Sequence, residues 1–173
     1  MRFISFLVGV VLLTSSAFCQ TVSLEQDLLD FFSGSCVYAL TNFDRDRAAA
    51  KFHHWEPVTQ DALKMGASEF KDAKMEGWVA KTHIGNKFIL ILSEAEQGNG
   101  CAILNGDFSP KKIIDMLGTI PNVTSVDEPK AFAQRQKMWV TEINNQQIFI
   151  SLVYSSNNDE LGGSLGAAAI WKK

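Results

Sequence analysis

The chemistry-bearing residues of this chain are few: three histidines and three cysteines in 173 positions. His53 and His54 stand side by side in His53-His54-Trp55-Glu56, and His83 follows further on. Three imidazoles with a neighbouring carboxylate would make a zinc centre, and hence a small metal-dependent or hydrolytic enzyme. The spacing speaks against that reading. Adjacent helical residues point about 100° apart, whereas helical metal pairs sit at i and i+4, as in HExxH. The plainer expectation puts His53 and His54 in solvent at a helix C-terminus, where an imidazolium suits the dipole. With Trp55 and His83 they form a candidate binding surface, and neither metal nor cofactor is expected.

The cysteines point to a staple. Residues 1–19 read as a secretory signal: Arg2, an apolar run from Phe3 to Leu13, then small residues up to Cys19-Gln20. The run is shorter than the roughly 20 residues that a spanning helix needs. Cleavage between Cys19 and Gln20 leaves Ala17 at −3; cleavage after Ala17 is the near alternative, and a lipid anchor on Cys19 fits poorly behind bulky Phe18. Loss of this segment leaves residues 20–173 as a single domain with two cysteines, Cys36 and Cys101. In an oxidising compartment such a pair reads as a disulfide. The protein is therefore expected in the periplasm or outside the cell.

Other constellations fall to their structural explanations. Asp44-Arg45-Asp46-Arg47 reads as a capped, charge-balanced helix start rather than an acid pair or an anion clamp. Gly162-Gly163-Ser164-Leu165-Gly166 lacks the helix and Lys-Ser/Thr of a phosphate loop. The same five residues spell Gly-x-Ser-x-Gly, but as a turn feeding a small-residue strand they do not read as the strand-to-helix elbow of a hydrolase, and no CxxC occurs. Net charge is −3, or −4 once Arg2 leaves with the signal. Without a basic cluster, nucleic acid and anionic membrane are not expected partners.

The elements that must position these residues follow from periodicity. Ser23 and Gln26 form a capping-box start, and Leu24, Leu28, Phe32, Cys36 and Leu40 recur at every fourth position. Gly34 weakens this first helix and invites a bend. Asp44 is expected to cap a second helix to about His54, with Ala48, Phe52 and Trp55 on one side. Pro57 ends or restarts it, Val58–Met65 is a further turn or two, and Ala67–Glu76 is a loop. Gly77 to Gly106 then carries three strands. Gly85-Asn86 reads as a two-residue turn, which puts Trp78, Ala80 and Thr82 on one face with Ile89 and Ile91. Val79, Lys81 and His83 would share the other with Phe88, Leu90 and Leu92.

Ser109-Pro110 opens a short helix burying Ile113, Ile114 and Leu117 and ended by Gly118. Thr119–Lys130 reads as a crossing loop containing the formal glycosylation sequon Asn122-Val123-Thr124. A second hairpin turns at Asn144-Asn145, with Trp139, Thr141, Ile143, Ile148, Ile150 and Leu152 on one face. Ser164–Trp171 is a last strand. The order predicts an α+β fold: a mostly antiparallel sheet of about six strands in two three-stranded halves, with N-terminal helices and one central helix packed on it. For function, the expectation is an exported, non-enzymatic domain that binds another envelope or extracellular protein or a small ligand, in the manner of an inhibitor or immunity protein.

Overall fold

The computed structural model of the protein describes residues 22–65, 72–126, 134–155 and 161–171. The signal segment, with Cys19 and Gln20, lies outside the described residues, as do residues 67–71 of the loop expected at Ala67–Glu76 and residues 127–130 of the crossing loop; residues 74–76 of the former are strand instead.

Ser23 caps the first helix, α1 (Leu24–Phe32), its hydroxyl oxygen accepting from the Gln26 N–H at 3.1 Å. The Gln26 side chain reaches forward to Asp30 instead of back to the cap, so only half of the capping box forms. At Ser33 the helix widens into a π turn, Ser33–Val37. The sequence spacing explains the change. Each step of four residues overshoots an α-helical face by about 40°, so five such residues cannot all point inward on one straight α-helix. The wider π turn rotates less per residue and brings Cys36 back to the core. Leu28, Phe32, Cys36 and Leu40 are all buried.

Then come α2 (Asp44–Phe52), β1 (Glu56–Pro57), α3 (Gln60–Met65), β2 (Lys74–Lys81), β3 (Lys87–Ala95) and β4 (Gly98–Asn105). After them follow α4 (Pro110–Leu117), β5 (Thr124–Val126), β6 (Gln134–Ile143), β7 (Gln146–Ser155) and β8 (Gly163–Ile170). The strands form one eight-stranded sheet in the order β1-β2-β3-β4-β8-β7-β6-β5, antiparallel throughout. The fold is α+β, as the segregated pattern indicates, and two four-stranded halves meet where β4 pairs with β8. The expected count of about six strands is corrected by two short edge strands. Glu56–Pro57 pairs with Trp78 and Val79, and Thr124–Val126 pairs with Met138 to Val140. Both are too short to show a period, and proline is compatible with an edge.

Helices α1 and α4 and the π turn cover one face. Their core partners include Phe88, Leu90 and Leu92 on β3, Cys101 and Ile103 on β4, Trp139 on β6, Ile148, Ile150 and Leu152 on β7, and Leu165, Ala167 and Ala169 on β8. The small β8 side chains let the π turn lie close over the sheet centre. There Cys36 and Cys101 form a disulfide with Cα atoms 5.1 Å apart. Met138, Val140, Phe149, Val153, Ala168, Ala102, Leu104 and Ile89 alternate onto the opposite face, half-buried. Gly77 lies there too, where an added Cβ would meet Val58 and Leu63 at 2.8 and 2.9 Å. The segment from Val58 through α3 thus crosses that face at the β2 end.

The second hairpin has the expected register: Ile143 opposes Gln146, and Asn144 and Asn145 both take positive φ (52° and 62°), as a type I′ turn requires. The first hairpin differs. A turn at Gly85-Asn86 would set Lys81 against Leu90, but Lys81 stands opposite Lys87, and Trp78 and Ala80 oppose Leu90 and Phe88. The odd slip exchanges the two faces: Trp78 and Ala80 share the helix side with Phe88, Leu90 and Leu92. Asp27 on α1 supplies the reason. Its Oδ2 accepts from the Thr82 hydroxyl and the Asn86 amide, each at 2.7 Å, and so holds these two as the closing pair of a three-residue loop, with the Thr82 N–H donating to the Asn86 C=O at 2.9 Å and Gly85 at φ 98°.

Candidate functional site

The expected surface around His53 and Trp55 forms only in part. Helix α2 begins at Asp44, but Asp44 does not cap it; the Asp44 N–H is instead received by Asn42 Oδ1 at 2.7 Å. The inward side of the helix is Asp46 and Ala50, not Ala48 and Phe52; Ala48 is exposed and Phe52 is 78% exposed. The reason is Arg47. It pairs with Asp44 and Glu76, each at 3.3 Å, and with Glu94, and so rotates the helix to hold an ionic contact over β2 and β3. These contacts raise the pKa of Arg47, the hydrogen bond to Glu94 most. Lys74 first, then Arg47, hold Glu76 below the ordinary carboxylate value against the effect of burial.

His53 stacks on Trp55 with ring centroids 6.0 Å apart, Phe52 packs edge-on to His53 at 5.0 Å, and Trp55 meets Phe31 edge-on at 6.0 Å. Phe31 in turn stacks on buried Phe88 at 5.7 Å. This aromatic ridge runs from solvent into the core. His54 is exposed at φ 52°, and exposed His83 lies in the β2–β3 loop, not on a strand. Among the described residues no group of three His, Cys, Asp or Glu side chains is placed to hold a metal ion.

Concavity lies elsewhere. A cleft of about 260 Å³ opens between the end of α1 with its π turn, the end of α4 with the loop after it, and the β6–β7 hairpin. Leu29, Phe32, Val37, Leu117, Val123 and Ile150 make its apolar body. Tyr38 and Ile120, 67% and 43% exposed, stand among its lining residues where it meets solvent. Two devices fix its walls. The disulfide holds the π turn to β4. Glu25, itself buried on α1, accepts from the Ser109 N–H at 3.1 Å and pairs with Lys112 at 3.4 Å, so α4 is tied to α1 at its N-terminus. Burial alone would raise the Glu25 pKa, but the backbone hydrogen bonds and Lys112 together bring it below its usual value.

No family model matches this chain. Searches of curated proteins and of solved structures return no match either. The site is therefore read from its own geometry.

Sequence reasoning did not find the cleft. Val37 and Tyr38 fall outside the apolar stripe of α1, and Ile120 and Val123 lie in a stretch without periodicity. The only sequence signal was that apolar residues recur in a segment read as loop.

Proposed function

We propose that the protein is an exported, non-enzymatic binding domain that receives an apolar group of a protein or small ligand in the cleft between α1, α4 and the β6–β7 hairpin. The cleft itself carries this reading. It is concave, largely apolar and bordered by exposed Tyr38 and Ile120, the makeup of a binding site rather than of random surface. A cavity of about 150 Å³ lined by aliphatic and aromatic side chains already accepts benzene, so this one has room for a larger ring or two aliphatic groups. The disulfide supports an oxidising compartment. Among the described residues no helix is long and apolar enough to cross a membrane. A metal enzyme built on His53, His54 and His83 has no gathering of those residues to support it.

The test uses the uncharged fluorophore N-phenyl-1-naphthylamine. Saturable fluorescence enhancement at one site is expected, and Val123→Trp, which fills the cleft from its loop side, abolishes it with an unchanged circular-dichroism spectrum. Enhancement that is absent, or that survives Val123→Trp, overturns the reading.

A further inference from the structure

The cleft has one wall that is polar in a specific way. Glu142 lines it, yet Thr141 and Ile143 point to the helix side of β6, so the Glu142 side chain alternates onto the opposite face of the sheet. What Glu142 presents to the cleft is main chain. Ile143 and Gln146 close the two-residue turn and form its hydrogen-bonded pair. Residues 142, 140 and 138 therefore aim their N–H and C=O away from β7. Strand β5 takes up Val140 and Met138, opposite Thr124 and Val126, and its ladder ends there. Before Thr124 the chain leaves the edge through Asn122, at φ 66°. The register thus turns the Glu142 N–H and C=O away from β7 and toward the cleft, beyond the end of the β5 ladder.

We infer that the cleft takes an extended peptide segment, paired as a short strand against the open edge of β6 at Glu142, with a large apolar side chain in the apolar body and a basic side chain opposite Glu142. The inference rests on the binding role proposed above and names the class of ligand. A peptide residue set against Glu142 supplies one C=O and one N–H, the complement of what the edge offers. Period-2 alternation does the rest. The residue directly opposite Glu142 points to the Glu142 side of the sheet, where an unpaired carboxylate favours Lys or Arg as a cross-strand partner. Its immediate neighbour points beside Thr141 and Ile143, into the cleft. The recognition element is therefore a basic residue adjacent to a bulky apolar one. Only one ladder position of β6 is open between β5 and the turn, which limits pairing to a short segment and guards the edge against runaway sheet extension.

The probe is acetyl-Phe-Lys-Phe-amide, which carries an apolar residue on both sides of the lysine and so does not presuppose strand direction. Binding is read by NMR shifts of the Glu142 and Ile143 amides. Methylating the lysine nitrogen of the peptide removes one donor and is expected to weaken binding roughly five- to ten-fold. Replacing lysine by glutamate weakens it about two- to three-fold, and Glu142→Lys, an exposed position next to the turn, reverses that preference. An N-methylated peptide that binds equally well, or a lysine–glutamate preference unmoved by Glu142→Lys, overturns the inference. If the naphthylamine binds but no peptide does, strand pairing falls while the apolar cleft stands. If neither binds, the binding role falls as well.

Discussion

Two buried carboxyl groups act on stability with opposite sign. Asp46 is 4% exposed, receives a hydrogen bond from Ser35, and leaves Oδ2 without a partner among the described residues. Burial raises its pKa above 3.8, outweighing Ser35, Arg45 and Arg47. A raised folded-state pKa means the fold binds the proton more tightly than the unfolded chain does. Stability from this group is complete below the unfolded value and is lost as pH rises through the folded one. Asp46→Asn, which keeps the shape and removes the charge, is therefore expected to stabilise the protein at pH 7, the gain shrinking as pH falls toward 3.8. Glu25 is the reverse case. Its pKa lies below 4.5, so its contribution is present above that value and is lost as pH falls through the folded pKa. Glu25→Gln should cost about 1 kcal/mol at pH 7, a deficit that fades in acid. Urea midpoints of both variants and the wild type across pH 3 to 7 check both signs; equal gaps at every pH would contradict the assignment. Neither role was visible in the sequence. An acid at the start of an amphipathic helix reads as a dipole partner, and only the folded chain shows which one reaches another element.

The elements were legible wherever one local signal governed them. Ser109-Pro110 does open α4, with Ile113 and Leu117 buried, and Asn144-Asn145 sets its hairpin because both residues tolerate the left-handed region. Asn145→Val should lower stability by roughly 1–2 kcal/mol, a β-branched side chain at φ 62° being strained, while Asn145→Gly stays near neutral. Thermal midpoints of the two variants measure the contrast. Where a distant partner competed, local signals lost: Asp27 widens the first hairpin, and Arg47 rotates α2. The π turn is an intermediate case, since the four-residue repeat through Cys36 was readable but not the change of helix type that it demands. The bridge from that turn to β4 spans a sequence separation of 65, which corresponds to roughly 4 kcal/mol on the chain-entropy model. Cys36→Ser and Cys101→Ser should each lose a similar amount by chemical denaturation, with the double variant adding little. Additive losses would mean two independent thiols.

At the scale of the molecule, the two four-stranded halves share both a seam and a roof. The seam is the full pairing of β4 with β8, from Gly98 opposite Ile170 to Asn105 opposite Gly163. The roof is α1 with its π turn, which touches β3 through Phe31 and Phe88 on one side and lines the cleft with Ile150 of β7 on the other. Glu25 then binds the start of α4 to the start of α1. Two halves connected only by a linker would melt independently. Two halves whose largest buried side chains belong to one continuous core lose each other's cover when either opens, and so unfold together. The tryptophans are placed to decide this, because Trp78 sits on β2 in the first half and Trp139 on β6 in the second. Variants that keep only Trp78 or only Trp139, the other three replaced by Phe, are expected to report the same urea midpoint after each is referred to its own circular-dichroism transition. A Trp78 signal that moves well before or after the backbone signal in the same variant would divide the chain into two folding units. It would also detach the cleft, which sets the π turn stapled to β4 against β6 and β7, from any claim to be a rigid preformed site.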